Sequence, residues 1–359
     1  MRKKLNIGVV FGGRSGEHEV SLVSAKSVIS ALDKSKYNVY PIGITRTGQW
    51  IAGKGAMQYL KTGKKVGIKK QSILPEPNKS NLDVLFPVLH GPFGEDGTIQ
   101  GLFQLADIPY VGANVLASAC GMDKIIMKAL FIQANIPTPK YIGFSRYEYE
   151  NNKNKIIKSI AKELKYPVFT KPANLGSSVG INKCLNSKQL KASIKGAFAY
   201  DRKVIVEQAI VGREIECSVL GHNDPKASLP GEIIPKRDFY DYDAKYVSGD
   251  SDLVIPAKLN KQQINNIKSL SIKVFKAIDC SGMARVDFFI QKSTGKIFAN
   301  EINTIPGFTE ISMYTKLWEA SGISYAKLLD KLVKLAIERH NEQNKYQKSF
   351  LPSTDWYKQ

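Results

Sequence analysis

Two acidic residues and one amide in the last quarter of the chain have the side chains of a magnesium site. Asp287, Glu301 and Asn303 offer hard oxygen ligands, which Mg²⁺ prefers in proteins. Apolar residues alternate with polar ones around Asp287, and this period of two predicts a strand. A second apolar run, Ile297–Ala299, leads to Glu301 and predicts a partner strand.

A turn between the two predicted strands would bring these side chains together. Ser293–Gly295 has the composition of a hairpin turn and lies between the apolar runs. In the folded hairpin, Asp287 would lie beside Glu301 and Asn303, with Arg285 close enough to contact an anion. Oxygen-bound magnesium with an adjacent cation is what a bound triphosphate requires. The alternative interpretation is a surface hairpin with scattered charges.

A glycine- and serine-rich loop, Ala173–Gly180, follows a predicted strand at Val168–Lys171. Backbone N–H groups and hydroxyls in such a loop can bind phosphate oxygens, and Lys171 would supply the counter-charge. The loop lacks the G-x-x-x-x-G-K-[ST] spacing of a P-loop, so phosphate binding would need another geometry. A plain glycine-serine hairpin loop is the alternative.

The first part of the chain predicts a parallel sheet, because strand and helix patterns alternate as in β-α-β units. The predicted elements are a strand at Leu5–Val10, a helix at about Glu19–Leu32, and strands at Tyr37–Ile44 and Asp83–Leu89. Ligands of such sheets bind beyond the carboxyl ends of the strands, where Gly12–Glu17 and His90–Gly97 would lie. The sequence has no full G-x-G-x-x-G fingerprint, which argues against a dehydrogenase.

Length and composition indicate a globular protein of two or three domains. The chain has 359 residues, of which 43% are hydrophobic and 23% charged, as in ordinary soluble proteins. Its four cysteines show neither disulfide nor metal-type spacing, which favours a reducing compartment. No apolar run reaches the length of a membrane span, and the amino terminus lacks the apolar region of a signal peptide. We therefore expect a cytoplasmic location.

A formal net charge of +20 raises the alternative of a nucleic-acid-binding protein. Much of the excess is lysine spread through Lys61–Lys70, Lys153–Lys165 and Lys188–Lys203. These segments carry neither an aromatic RNA-binding signature nor a recognisable DNA-reading motif, so a solvated surface is favoured. Such a surface could still steer anionic nucleotides toward a cleft.

Five segments together, by their order and spacing, resemble the D-alanine–D-alanine ligase family. They are Gly12–Ser21, His90–Gly97, Gly176–Gly180, Phe239–Tyr246 and Arg285–Gly307. The resemblance covers roughly residues 4–340. It implies an α/β chain with the ATP-grasp fold, in which an N-terminal parallel-sheet domain precedes two α+β domains with ATP between them. The implied limits are 1–122, 123–214 and 215–359.

The resemblance also implies which residues bind the nucleotide and the metal. The ATP-binding positions would be Lys124, Lys171, Glu207, Gln208, Ala209, Ile210, Glu214 and Lys245. The lysines would contact phosphates, the last of them from a lid loop at 238–252, while residues 207–210 contact adenine and Glu214 the ribose. Asp287, Glu301 and Asn303 match the magnesium ligands, with two ions implied and Mn²⁺ as a substitute.

The amino acid substrates are expected beside the nucleotide. The matching catalytic positions are Glu17, Ser177, Tyr246, Arg285 and Gly307, and the substrate-binding positions are His90, Ser312 and Met313. Glu17 would hold the ammonium group of the first D-alanine, and Ser177 and Tyr246 would extend that network to the lid loop. The arginine and the glycine N–H match an oxyanion site. The serine and the methionine mark the place of the second substrate's carboxylate.

The implied reaction joins two D-alanines for peptidoglycan and releases ADP and phosphate. ATP phosphorylates the first carboxylate, because oxide is a poor leaving group and phosphate a good one. The second amine then attacks this acyl phosphate in a site that excludes water. A D-alanine–D-lactate ligase shares most of these motifs and is the alternative product class. The expected partners are small molecules only, without nucleic acid or membrane insertion, and the expected assembly is a homodimer.

Overall fold

The computed structural model describes residues 3–64, 81–176, 178–235, 251–309 and 312–347. Three sheets follow one another along the chain, and the first has the strand order β3-β2-β1-β4. Its strands are β1 Leu5–Gly12, β2 Tyr37–Ile44, β3 Trp50–Ala52 and β4 Val84–Pro87. The first strand pairs in parallel with both β2 and β4, which confirms the predicted parallel sheet, and β3 adds an antiparallel edge.

Four helices accompany the N-terminal sheet: α1 His18–Ala31, α2 Ala56–Thr62, α3 Thr98–Leu105 and α4 Val115–Met122. A tight turn connects β1 to α1. Gly12 has a φ of 92°, in the left-handed region, and a Cβ there would lie 2.2 Å from the carbonyl oxygen of Ile44. Only glycine tolerates both conditions. The turn places Glu17 directly before the first residue of α1, at the carboxyl edge of the sheet.

The central sheet is antiparallel, with the order β5-β8-β6-β7. Its strands are β5 Tyr141–Ser145, β6 Val168–Pro172, β7 Asn182–Cys184 and β8 Lys203–Gln208. The helices in this part are α5 Lys124–Gln133, α6 Arg146–Glu163 and α7 Ser187–Ala197. The glycine-serine loop lies between β6 and β7, as the sequence predicts.

The C-terminal sheet has the order β12-β11-β9-β13-β14, with β10 paired to β9, and all its pairs are antiparallel. Its strands are β9 Gly212–Gly221, β10 Lys226–Ala227, β11 Gly231–Pro235, β12 Ser251–Val254, β13 Gly282–Gln291 and β14 Ile297–Asn303. Its helices are α8 Lys261–Ala277, α9 Met313–Ala320 and α10 Tyr325–Gln343. The pairing of β13 with β14 confirms the predicted hairpin.

Two hydrophobic cores join parts of the chain that are distant in sequence. Apolar residues of α10, such as Leu332, pack with β1 and β4 of the N-terminal sheet. Met127 and Phe131 of α5 pack against the C-terminal sheet and α8, while the central sheet has a core of its own. None of the helices in the described part of the chain combines the length and the apolar character needed to cross a membrane.

Candidate active site

The hairpin of β13 and β14 brings the predicted metal ligands together. Asp287 and Glu301 are directly opposed across the strands, and Arg285 is opposed to Asn303. The alternation of β13 buries Val286 and leaves its polar neighbours on the other face of the sheet. These four polar side chains therefore share one surface.

Arg285 is held by two acids in this arrangement. Its Nε and one terminal nitrogen donate to the two oxygens of Asp287, both at 2.7 Å, and Nε also lies 3.0 Å from Glu216 of β9. Burial alone would lower the pKa of Arg285, but the charges of Asp287 and Glu216 outweigh it and raise that pKa well above its usual value. The guanidinium is thus a permanent, oriented cation.

The donor set of the hairpin fits a magnesium ion. Among the described residues, the side-chain oxygen of Asn303 is buried and accepts no hydrogen bond, which leaves a hard ligand available. Asp287 and Glu301 add two carboxylates beside it. No group of three or more His, Cys, Asp or Glu side chains suited to a metal occurs in the described part of the chain. The predicted magnesium ligands are two carboxylates and one amide, so they do not form a group of that composition.

Three buried lysines converge near the carboxylates of Glu207 and Glu301. Lys171 lies 2.8 Å and Lys128 3.2 Å from different oxygens of Glu207. Lys124 donates to the carbonyl oxygen of Leu175 at 2.8 Å and lies 4.0 Å from Glu301. Burial lowers the pKa values of Lys124 and Lys128. Burial opposes the charge of Lys171 too, but the nearby carboxylates of Glu207 and Glu301 outweigh it and raise its pKa.

A cavity of about 550 Å³ lies between the central and the C-terminal sheets. Its lining includes most of the predicted nucleotide and metal positions: Lys171, Glu207, Gln208, Ala209, Ile210, Glu214, Asp287 and Glu301. A polar rim of cations and carboxylates beside an apolar strand segment suits a nucleotide, whose base is flat and whose phosphates are charged.

A second, smaller cavity of about 180 Å³ adjoins the other end of the hairpin. Its lining includes Glu301 again and the remaining described site positions: Glu17, His90, Lys124, Arg285, Asn303, Gly307, Ser312 and Met313. Arg285 of the hairpin contributes a cation to this cavity. Glu301 of the hairpin lines both cavities. The hairpin therefore forms a common wall between a large cleft and a smaller pocket.

Glu17 enters the small cavity because glycines surround its carboxylate. A Cβ at Gly91, whose φ is 75°, would lie 2.6 Å from Glu17 Oε2, and a Cβ at Gly176 would lie 3.1 Å from it. The backbone N–H of Glu17 donates to Ser15 Oγ at 2.9 Å, and that hydroxyl donates to the carbonyl of His90 at 2.6 Å. The acid is buried and positioned to meet a cationic ligand.

His90 is buried beside two carboxylates. Its Nε2 lies 3.2 Å from Ser24 Oγ, and its Nδ1 lies 3.9 Å from Glu95. Burial alone would lower the pKa of His90, but the carboxylates of Glu95 and Glu17 outweigh it and raise that pKa. The backbone N–H of Gly91 donates to Glu95 at 3.0 Å, which orients this acid.

The segment after β14 completes the small cavity. Ser312 Oγ accepts from the backbone N–H of Thr309 at 2.9 Å, and a Cβ at Gly307 would lie 2.9 Å from that hydroxyl. The Met313 side chain packs with Ile233 and Leu317. Gly307, Ser312 and Met313 line the small cavity, so a ligand in it would contact this part of the segment.

Three predicted site residues, Ser177, Lys245 and Tyr246, lie outside the described residues, as does most of the predicted lid loop. Three further residues belong to the site and were not predicted from the sequence: Glu95, Lys128 and Glu216. The sequence contains a signal for one of them. Lys128 follows Lys124 by one helical turn and lies between Met127 and Phe131, on the apolar side of α5.

Comparison with known proteins gives consistent results along the chain. The model of the D-ala D-ala ligase N-terminus matches residues 6–113, and that of the D-ala D-ala ligase C-terminus matches residues 130–334. The D-alanine–D-alanine ligase of Natranaerobius thermophilus is 49% identical, over 98% of this chain and 100% of that protein. The corresponding ligase of a Thermoanaerobacter strain is 51% identical, over 95% and 99% respectively.

Solved structures agree with the sequence matches. The D-alanine–D-alanine ligase of Coxiella burnetii superposes with a TM-score of 0.84 at 38% identity, covering 95% of this chain and 96% of that one. The VanG D-Ala:D-Ser ligase of Enterococcus faecalis gives the same score and identity, with 93% and 100% coverage. The fold is thus the ATP-grasp fold that the sequence predicts. This chain belongs to the D-alanine–D-alanine ligase family.

Proposed function

We propose that the chain joins two D-alanines to D-alanyl-D-alanine, with conversion of ATP to ADP and phosphate, for peptidoglycan synthesis. One observation carries this proposal: the β13–β14 hairpin is a common wall of a nucleotide-sized cleft and a smaller pocket for small substrates. A reaction that transfers a phosphoryl group from a nucleotide to a small carboxylate needs such an arrangement.

The larger cavity is the proposed ATP site. Lys171 and Lys124 would contact the phosphates, residues 207–210 the adenine and Glu214 the ribose. Members of this family use ATP and a divalent metal. We propose Mg²⁺, as two ions that Mn²⁺ can replace, held by Asp287, Glu301 and Asn303. When bound, the metal would neutralise charge on the transferring phosphoryl group.

The smaller cavity is the proposed site of both amino acids. The Glu17 carboxylate would pair with the ammonium group of the first D-alanine, near His90. The second D-alanine would place its carboxylate at Ser312 and Met313, where a hydroxyl and the first N–H groups of α9 can donate. Both substrates would then lie within reach of Arg285.

The proposed chemistry has two steps. A carboxylate oxygen of the first D-alanine attacks the γ-phosphorus, and the bond from that phosphorus to ADP breaks. The amine of the second D-alanine then attacks the carbonyl carbon, phosphate leaves, and the amine loses a proton. Arg285 and the N–H of Gly307 would stabilise the negative charge that develops on the carbonyl oxygen. Both groups line the same small cavity.

Further parts of the proposal rest on the sequence resemblance. Ser177, Tyr246 and Lys245 would act with Glu17 and the phosphates in a closing lid at 238–252. The three-domain division, at 1–122, 123–214 and 215–359, is retained as a proposal. So are a cytoplasmic location and a homodimeric assembly.

Phosphate release in the presence of ATP and Mg²⁺ tests the function directly. D-Alanine alone should support it, and mass spectrometry should identify D-alanyl-D-alanine as the product. Parallel samples with D-alanine plus D-lactate, or plus D-serine, test the acceptor, since a neighbour of equal structural similarity is a D-Ala:D-Ser ligase. A mixed depsipeptide or D-alanyl-D-serine as the main product at equal acceptor concentrations would overturn the assigned acceptor.

A further inference from the structure

Lys128 is a completely buried cation behind the wall of the nucleotide cavity. Its side chain is 0% exposed, and it is among the largest fully buried side chains of the described residues. Its Nζ donates to Thr138 Oγ1 and to the carbonyl of Asn300, both at 3.1 Å, and lies 3.2 Å from Glu207 Oε1. The ammonium group thus donates two hydrogen bonds and forms an ion pair with the Glu207 carboxylate.

The Glu207 carboxylate is held between two lysines. Lys171 lies 2.8 Å from Oε2, and Lys128 contacts the other oxygen. Glu207 and Lys171 line the 550 Å³ cavity, whereas Lys128 is not among the lining residues. One lysine therefore faces the ligand space, and the other fixes the carboxylate from behind.

A buried charge has a desolvation cost, which its ion-pair and hydrogen-bond partners offset only in part. Methionine has a similar length and would pack between Met127 and Phe131 without the cost of desolvation. Burial alone would raise the pKa of Glu207, but the two lysines outweigh it and lower that pKa. Removal of Lys128 would leave Glu207 dependent on Lys171 alone.

We propose that Lys128 is a positioning residue for adenine recognition, which holds Glu207 ionised and oriented while Lys171 contacts the phosphates of ATP. This inference rests on the proposed function and on the assignment of Glu207 to the base. An ionised carboxylate only accepts hydrogen bonds, so it favours the 6-amino group of adenine over the 6-oxo group of hypoxanthine. Without Lys128, the competition of phosphate and Glu207 for Lys171 would leave the carboxylate protonated or displaced.

The selectivity between ATP and inosine triphosphate tests this role, because the two differ at position 6 of the base. The ratio of their kcat/KM values should fall by about tenfold in Lys128→Met, since a polar contact that discriminates the bases is lost. KM for ATP should rise while kcat at saturating ATP changes much less. Glu207→Gln should lower the same ratio, and adding Lys128→Met to it should lower the ratio no further.

Two control variants separate positioning from structural support. Thr138→Val removes one acceptor of Lys128 and the Thr138 bond to the carbonyl of Ala299, but it leaves the Glu207 contact. It should lower thermal stability and keep the selectivity ratio. Lys273→Met removes an exposed lysine whose Nζ donates to the carbonyl of Asn135 at 3.3 Å, and it should change neither.

The outcomes distinguish this inference from the proposed function. A wild-type protein without ATP-dependent ligation would overturn the function itself. An active wild type that does not prefer ATP would overturn the role of Glu207, and the role of Lys128 with it. An unchanged ratio in folded Lys128→Met, or an equal loss in Thr138→Val, would overturn the positioning role alone. If Lys128→Met does not fold, the same selectivity ratio is measured in Lys128→Gln.

Discussion

Arg285 and Asp287 are paired with each other in the structure, although they are proposed to act on different partners, the substrate and the metal ion. Both nitrogen-to-oxygen distances of the pair are 2.7 Å, so the carboxylate has its two oxygens engaged. A bound metal ion would take over that carboxylate, and Arg285 would then keep Glu216 as its acidic partner. We therefore expect metal binding to weaken this pairing and to free donors of Arg285 for the substrate.

Loss of a metal ligand should abolish most activity without unfolding the protein. Asp287→Asn and Glu301→Gln each remove one charge from the proposed site, and each should lower kcat by roughly two orders of magnitude or more. Circular dichroism should show an intact fold. Asp224→Asn, at an exposed acid paired with Lys226, is the matched control and should stay fully active. Near-normal turnover in either ligand variant would disprove the assignment.

Glu216 should control how much magnesium the enzyme needs. In Glu216→Gln, Arg285 loses one acidic partner and depends more on Asp287, so the metal must compete harder for that carboxylate. We expect the Mg²⁺ concentration for half-maximal activity to rise by about tenfold. Glu342→Gln, at a surface acid paired with His222, serves as the control. An unchanged magnesium requirement would argue against the coupling.

His90 should give the protein a pH-dependent stability. Its pKa is raised above the ordinary value of 6.5, so the folded state binds a proton more tightly than the unfolded state. Its contribution is therefore full below pH 6.5 and is lost as the pH rises through the higher folded-state pKa.

Denaturant unfolding over this pH range checks the sign. The stability difference between wild type and His90→Gln should shrink with rising pH, and Glu95→Gln should weaken the trend because Glu95 is the leading cause that raises the pKa. A difference that grows with pH would contradict the assignment.

At the scale of elements, local sequence patterns predicted the hairpin but did not predict contacts between residues that are distant in the chain. The alternation around Asp287 and the turn residues Ser293–Gly295 are properties of neighbouring residues, so they predict β13 and β14 well. The role of Lys128 depends on where α5 packs against β8 and β14. The role of Glu216 depends on the pairing of β9 with β13. The spacing of residues in the sequence carries little information about either of these contacts between elements.

Helix α10 also shows how packing departs from chain order. It lies in the predicted C-terminal domain, yet its Leu332 is 1% exposed and packs in the core of the N-terminal sheet. Leu332→Ala should lower the free energy of unfolding by about 2–5 kcal/mol through the cavity it leaves. Leu105→Ala, at a side chain that is 86% exposed, should change it by less than about 0.5 kcal/mol. Equal effects in chemical denaturation would show that α10 does not stabilise this core.

At the scale of the whole molecule, the net charge of +20 has to be reconciled with a small-molecule enzyme. The lysines that converge near the nucleotide cavity are buried and paired with carboxylates, as for Lys171 and Glu207. The others are spread through separate segments, including Lys153–Lys162 on α6 and Lys188–Lys195 on α7. Each helix contributes only a few lysines one turn apart, such as Lys188, Lys191 and Lys195 on α7. The positive field should therefore attract ATP without forming a continuous nucleic-acid site.

Binding of a labelled DNA duplex at two salt concentrations tests this last point. We expect weak binding at about 50 mM salt that is lost near 150 mM, because scattered lysines neutralise few phosphates together. ATP binding, measured in the same samples, should persist at the higher salt, since it depends on buried cations such as Lys124 and Lys171. Lys124→Met supplies the control: it should weaken ATP binding and leave the salt dependence of DNA binding unchanged. Retention of duplex DNA at the higher salt, by a protein without ligase activity, would instead favour a nucleic-acid-binding protein.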